Sequence, residues 1–186
     1  MRWSEQPRRR VAAGRKGLST VDLLSANLAV SSKADEKTVE AAAVRLLAGR
    51  EHSVAELQRK LVHKGHPPAA VTAVVGKLQG KKLVSDERFV ASFIRHHAQR
   101  GQGPVRIRAE LRQQGITDEI VEEYLDSAGL DWPSLARSVR IRKFGAALPR
   151  AMAERAKQGR FLQYRGFNSD QIRAALGGSD VGLADD

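Results

Sequence analysis

Basic residues are concentrated between positions 132 and 165, and they are the clearest chemical feature of the sequence. Nine Lys and Arg stand there against the single acid Glu154, which gives the stretch a net charge of +8. Cations at this density favour polyanions, because each phosphate contact releases condensed counterions. The candidate contacts are Arg137, Arg140, Arg142, Lys143, Arg150, Arg155, Lys157 and Arg160. The alternative is a solvated basic face without a ligand.

Three aromatic residues lie within or beside this basic stretch. Phe161, Tyr164 and Phe167 are close to Arg160 and Arg165, a combination that suits stacking on exposed bases. A core role is the favoured interpretation, because Phe167 directly follows a glycine that ends a helix, where an apolar contact commonly closes the cap.

No catalytic or metal-binding pattern is found. His63 and His66 flank a glycine without a ligating motif, and the adjacent His96 and His97 point about 100° apart on a helix. The segment from Gly76 to Lys82 has the wrong spacing for a phosphate-binding loop. The chain has no cysteine, which excludes disulfides and thiolate chemistry. We therefore expect no cofactor, no metal and no enzymatic activity.

The remaining charge is unevenly distributed along the 186 residues. The net charge is +11, of which the first 20 residues contribute +5, while the last nine contribute −3. The rest of the chain is therefore close to neutral outside the basic stretch. We interpret residues 1–35 as a flexible basic arm, with weak non-specific affinity as the alternative to a specific role, and residues 178–186 as an acidic tail.

A second cluster of charge is acidic. Residues 118–126 form a run that we place on one helix, and it is either a solvated face or a surface for a basic partner. Its members are Asp118, Glu119, Glu122, Glu123 and Asp126.

A repeated motif indicates the elements that carry these residues. The pattern Leu-x-x-x-Gly occurs at 61–65, 111–115 and 162–166, so its glycines are 50 and 51 residues apart. Each glycine predicts a helix end, because the left-handed conformation found there disfavours a side chain. Apolar residues recur six and ten positions after each glycine, at Val71/Val75, Val121/Leu125 and Ile172/Leu176. Eight positions before it the residues are Leu57, Ile107 and the exception Gln158.

Helix starts are equally recognisable. Ser53 with Glu56 forms the sequence pattern of a capping box, Asn168 is followed three residues later by Gln171, and Thr117 precedes two acids. Together these signals predict an all-α protein of three tandem three-helix repeats that form an elongated curved array. The repeats span 36–84, 85–130 and 131–177.

Hydropathy bears on location. The apolar runs are only a few residues long, far short of the roughly 20 needed to span a bilayer, and the N-terminus lacks the apolar segment of a signal peptide. We expect a soluble, cytoplasmic protein that does not engage a membrane.

The spacing of several blocks of the sequence matches a known pattern. The blocks are Leu47-x-x-Arg50-x-x-Ser53-x-x-Glu56-Leu57-x-x-x-Leu61-x-x-x-Gly65, Asp86-x-x-Phe89, Gly103-x-x-x-Ile107-x-x-Glu110-Leu111-x-x-x-Gly115-Ile116 and Phe161-Leu162-x-x-Arg165-Gly166-Phe167. In this order they resemble the RecX family of bacterial regulators of the RecA recombinase.

The resemblance implies a specific mode of action. It implies a non-enzymatic protein, expected to be a monomer, that binds the RecA–DNA filament along its groove and inhibits the recombinase in recombination, DNA repair and the SOS response. Single- or double-stranded DNA would then be a weak electrostatic partner. The alternative is an independent DNA-binding or architectural protein without a recombinase partner.

Overall fold

The computed structural model describes residues 35–178, and within that range every regular element is a helix. Helix α1 spans 35–47. It is followed by α2 (Val54–His63), α3 (Pro68–Gly80), α4 (Asp86–Gln99), α5 (Pro104–Gln113), α6 (Asp118–Ser127), α7 (Trp132–Phe144), α8 (Met152–Tyr164) and α9 (Ser169–Ala175). The arm and tail expected from the sequence lie outside the described residues, apart from residues 35 and 178.

The nine helices of this range form three units with separate cores. Unit 1 (α1–α3) packs around Leu57, Leu61 and Val75, and unit 2 (α4–α6) packs around Val90, Ile107 and Leu111. Unit 3 (α7–α9) has a smaller core that includes Ala136, Val139, Leu162, Phe167 and Ala175. The all-α fold with three tandem three-helix repeats is confirmed.

The three Leu-x-x-x-Gly motifs end their helices in the same way. The carbonyl oxygens of Leu61, Leu111 and Leu162 accept hydrogen bonds from the amides five residues later, at 3.3, 3.3 and 3.1 Å. Gly65, Gly115 and Gly166 have φ values of 88°, 81° and 90°, which are in the left-handed region. A repeated local chemistry therefore gives each unit the same turn after its second helix.

The helix starts predicted at Ser53 and Asn168 differ in how completely a capping box forms. At the start of α9, Asn168 and Gln171 each bond the other's main-chain amide, both at 2.9 Å. At the start of α2, Ser53 Oγ accepts from the Glu56 amide at 3.0 Å, but the reciprocal bond is absent. The Glu56 carboxylate contacts Arg50 at 3.0 Å and Lys60 at 3.1 Å instead. The prediction of a reciprocal box at α2 was wrong because these cations bind its carboxylate.

One contact recurs where consecutive units meet. Between units 1 and 2, Ser53 Oγ donates to the Gln114 carbonyl at 2.8 Å; between units 2 and 3, the Gly103 amide donates to the Arg165 carbonyl at 2.8 Å. In both cases the donor caps the second helix of its unit. The acceptor in both cases precedes the glycine that ends the second helix of the next unit. The units are thus joined in a linear order by an equivalent junction.

Candidate functional site

The basic residues predicted as contacts lie on α7, on α8 and in the connection between them. Arg137, Arg142, Lys143, Arg150, Lys157 and Arg160 are exposed. Arg155 is half-buried, and its Nη1 donates to the Leu176 carbonyl at 3.0 Å. Most of the predicted set is therefore available to a ligand in solution.

Arg140 is the exception, because its side chain is only 1% exposed. Its guanidinium donates to the carbonyls of Ala147 at 2.9 Å and Ala146 at 3.2 Å, in the loop that follows α7. A buried guanidinium bonded to its own loop is not available to a phosphate group. We therefore remove Arg140 from the candidate contacts and assign it to the stability of the α7–α8 connection.

The burial of Arg140 also explains the irregular position in the third repeat. Gln158 stands where the other units have Leu57 and Ile107, and all three residues are buried. Its Oε1 lies 3.5 Å from Arg140 Nη1, and its Nε2 donates to Glu154 at 3.3 Å. A polar residue replaces the apolar one because a buried cation requires an acceptor.

Arginines of unit 2 are neutralised by the acidic run on α6. Arg108 forms a bidentate pair with Glu122, and Arg112 forms one with Asp118. These hydrogen bonds raise the pKa of both arginines and lower the pKa of both carboxyls. Two acids of the run therefore face α5, where they compensate two of the arginines of this unit.

Unit 3 is different, because most of its cations have no ion pair within the described residues. Lys157 lies 3.5 Å from Glu154. No carboxylate in residues 35–178 is within 4 Å of the remaining exposed or half-buried cations of α7, α8 and their flanking residues. These are Arg137, Arg142, Lys143, Arg150, Arg155, Arg160 and Arg165. Uncompensated charge at this density is the electrostatic character of a polyanion-binding surface.

Four of the predicted contacts line one or other of two concave surfaces. Arg142 and Lys143 line a cleft of about 270 Å³ between units 2 and 3. We call this the junction cleft; its lining is Arg100, Val139, Arg142, Lys143, Phe161 and Arg165. Arg155 and Arg160 instead line a groove of about 730 Å³ together with Arg173 of α9. Arg137, Arg150 and Lys157 line neither surface.

The aromatic residues near the cleft have different environments. Phe167 is 2% exposed and belongs to the core, as the sequence indicated. The core interpretation is wrong for Tyr164, which is 77% exposed with the Arg106 guanidinium 5.8 Å from its ring centroid. Phe161 is half-buried, and the Arg165 guanidinium lies 5.4 Å from its ring centroid.

Arg100 and Arg165 are not among the contacts predicted from the sequence. Arg165 was counted in the basic stretch but was not predicted as a contact, and Arg100 belongs to the near-neutral second unit. The available signal was their position: Arg100 directly precedes Gly101, and Arg165 directly precedes Gly166. Both glycines have positive φ, so these arginines mark two helix ends. The sequence does not show that these two helix ends meet, because their contact depends on how units 2 and 3 pack.

The described residues lack two other kinds of functional feature. No group of three or more His, Asp or Glu able to hold a metal ion occurs in the described part of the chain. None of the helices in residues 35–178 combines the length and apolar character of a membrane span.

Comparison with known proteins identifies the family to which the chain belongs. Three family models match in consecutive order: the first three-helix domain of RecX at residues 41–78, the second at 85–125 and the third at 133–176. The chain belongs to the RecX family. Family membership gives it a regulatory role of the RecX type.

Two relatives are similar in sequence to this chain over most of their length. The chain is 46% identical over 147 residues to the "Regulatory protein RecX" of Halorhodospira halophila, which covers 79% of this chain and 91% of the relative. It is 44% identical over 140 residues to the protein of the same name from Pseudomonas savastanoi pv. phaseolicola, covering 75% and 90%.

Solved RecX structures share the fold. The chain is similar to a crystal structure of regulatory protein RecX with a TM-score of 0.68 at 20% identity, covering 88% of this chain and 80% of the other. It is also similar to the crystal structure of RecX from Lactobacillus salivarius, with a TM-score of 0.64 at 20% identity, covering 77% and 96%. The all-helical architecture of RecX proteins is thus present here.

Proposed function

We propose that this RecX-family chain inhibits the RecA recombinase by binding along the groove of the RecA–DNA filament. The observation that carries the proposal is the ordered match of all three RecX domains. In this role the protein acts without catalysis, in the cytoplasm and as a monomer, and it limits recombination, DNA repair and the SOS response.

The architecture is compatible with such binding. A linear series of three units presents a long surface, which can contact more than one protomer of a helical filament. The unpaired cations of unit 3 can approach phosphates in the filament groove, because no carboxylate of the described residues lies within 4 Å of them. Unit 2, with its paired arginines, contributes less charge to that surface.

A second candidate function is supported by the same cations. A chain whose basic surface binds DNA without a recombinase partner would compete with RecA for DNA instead of acting on the filament. The two functions predict different stoichiometries, because a filament regulator acts on protomers and a competitor acts on free DNA.

The experiment that tests the proposal is a titration of the purified protein into RecA assembled on single-stranded DNA at near-physiological salt. ATPase and strand-exchange activity are the measurements. Inhibition well below stoichiometric coverage of the DNA supports filament regulation. Inhibition only when the DNA is saturated supports simple competition, and no inhibition overturns both.

The role of the basic surface is tested by reversing three exposed charges that lie outside the junction cleft. The triple variant Arg137→Glu/Arg150→Glu/Arg160→Glu is expected to weaken inhibition and to flatten its salt dependence. Reversal of Lys37, Arg45 and Arg95, which are exposed cations of units 1 and 2, provides a control of equal charge change. Unchanged inhibition and salt dependence in the first variant would remove the basic surface from the proposal.

A further inference from the structure

The junction cleft joins three helix ends from two units. Arg100 follows α4 of unit 2, Arg142 and Lys143 belong to the last turn of α7, and Arg165 follows α8. Cations are favoured at each helix end by the partial negative charge of the carbonyls there. That effect explains each residue separately, but the packing of the units brings four of them around one cleft of about 270 Å³.

Two of these side chains, those of Arg165 and Arg142, reach across the junction. Arg165 Nη1 donates to the Arg100 carbonyl at 3.3 Å. The Arg142 guanidinium reaches the turn at Gly101, where it lies 3.2 Å from the position that a Cβ would occupy. Side chains that are already ordered lose less conformational freedom when they bind a ligand.

No acid of the described residues compensates the positive charge of the cleft. None of its six lining residues is acidic. Within the described part of the chain, no carboxylate is within 4 Å of Arg100, Arg142, Lys143 or Arg165. Four neighbouring like charges repel one another, so a bound anion would relieve that repulsion as well as form its own hydrogen bonds.

We propose that the junction cleft is a phosphate-binding site for the backbone of a nucleic-acid strand. Arginine guanidinium groups fit phosphate oxygens with paired N–H donors, and three of the four cations are arginines. Val139 and Phe161 supply apolar lining against which a sugar can pack. Further unpaired cations of unit 3 lie outside the cleft, and such an arrangement suits a polymer better than a mononucleotide.

This inference deepens the proposed function, on which it rests for the choice of DNA as the polyanion. It goes beyond that function by placing the strongest phosphate contacts at the boundary of units 2 and 3, with Arg100 and Arg165 among them. A strand bound there contacts two units at once, so its binding depends on units 2 and 3 remaining packed together.

The test is DNA binding by the full chain without RecA, measured by the anisotropy of a short fluorescein-labelled oligothymidylate over a range of salt concentrations. The variant is Arg100→Gln/Lys143→Gln, because neither side chain makes a hydrogen bond or an ion pair within the described residues. The control is Lys37→Gln/Arg45→Gln, which removes one Lys and one Arg from the exposed surface of α1. Thermal unfolding checks that both variants remain folded.

The cleft variant is expected to bind about tenfold more weakly and to flatten the slope of log K against log salt by about 1.4, which corresponds to two lost single-strand phosphate contacts. The control is expected to keep the wild-type slope. Equal losses in both variants, or no loss in the cleft variant, would overturn the assignment to this cleft.

Two further measurements separate the possible outcomes. Adenosine triphosphate, added as a competitor at equal phosphate concentration, is expected to displace the oligonucleotide poorly; full displacement would show a mononucleotide site and overturn the proposal. Inhibition of RecA by a wild-type chain that binds no DNA would overturn the cleft proposal and leave filament regulation intact. If the chain binds DNA with the expected losses in the cleft variant but does not inhibit RecA, the cleft proposal stands and filament regulation is overturned.

Discussion

Ser53 Oγ accepts a hydrogen bond from the Glu56 amide at 3.0 Å and donates one to the Gln114 carbonyl at 2.8 Å. A single hydroxyl therefore caps α2 and ties unit 1 to unit 2. The same place in the next junction is taken by the Gly103 amide, which donates to the Arg165 carbonyl. The repeat conserves the acceptor position, whereas the donor changes from a side chain to the main chain.

Replacing Ser53 with Ala is expected to destabilise the protein by about 2 kcal/mol, because it removes a helix cap and leaves a junction carbonyl without its donor. Ser85→Ala is the control, since Ser85 caps α4 through the Arg88 amide and makes no junction bond in the described structure. It is expected to cost about 1 kcal/mol. Urea unfolding measures both, and equal losses would mean that the junction bond contributes nothing.

Gly166→Ala and Gly65→Ala form a matched pair. Both glycines have φ near 90°, so each substitution carries a conformational cost of about 1 kcal/mol. A Cβ at position 166 would also meet the Arg106 side chain and lie 2.7 Å from the Arg106 nitrogen, whereas nothing described lies within 4 Å of a Cβ at 65. We expect a total cost of about 3 kcal/mol or more at 166. Similar unfolding free energies for the two variants would contradict the close packing of units 2 and 3.

Glu56 makes stability depend on pH. Burial raises the pKa of its carboxyl, but the neighbouring Arg50, His52 and Lys60 side chains outweigh burial and lower the pKa to about 2, from an ordinary value of 4.5. A lowered folded-state pKa stabilises the protein above the unfolded value, and this contribution disappears as the pH falls from about 4.5 towards 2.

The variant Glu56→Gln is therefore expected to be less stable than the wild type by about 2 kcal/mol at pH 7. The difference should shrink as the pH is lowered through that window. Urea unfolding at several pH values measures it, with Glu119→Gln as a control, because Glu119 is exposed and lacks an ion pair among the described residues. A difference that stays constant with pH would contradict the role of the carboxylate.

Arg140 and Gln158 are expected to act as one unit. Gln158→Leu alone should cost about 2 kcal/mol, because the buried guanidinium loses an acceptor. Adding Arg140→Met should bring the unfolding free energy of the double variant to within about 1 kcal/mol of the wild type. The double variant has no buried cation at this place, and leucine at position 158 matches the apolar Leu57 and Ile107 of the other units. A double-mutant cycle from urea unfolding measures the coupling, and additive losses would contradict it.

Local chemistry explains why much of the fold could be predicted. Leu162 and Gly166 determine a helix end through contacts within five residues, and Asn168 with Gln171 determines a helix start within four. The same rule wrongly predicted a reciprocal capping box at Ser53, where the Glu56 carboxylate binds cations instead of the Ser53 amide. Arg50 and Lys60 are near Glu56 in the chain, but a capping pattern does not show which of several nearby partners a carboxylate binds.

The site was predicted less completely, for a different physical reason. Charge alone indicated unit 3, but it assigned Arg140 to the surface, although its two Nη atoms donate to main-chain carbonyls in the interior. It also missed Arg100, whose nearest helix neighbours belong to a neutral unit. Arg100 and Arg165 are 65 residues apart, and their meeting depends on how units 2 and 3 pack.

The Gly103–Arg165 bond has a consequence for how the array unfolds. The amides of Gly103 and Val105, at the start of α5, both find their acceptors in unit 3. If unit 3 opens, the first turn of α5 loses those partners, so disorder at one end lowers the stability of its neighbour. Hydrogen bonding at the junctions thereby converts three small cores into one nearest-neighbour cooperative chain, in which the middle unit depends on the integrity of the last.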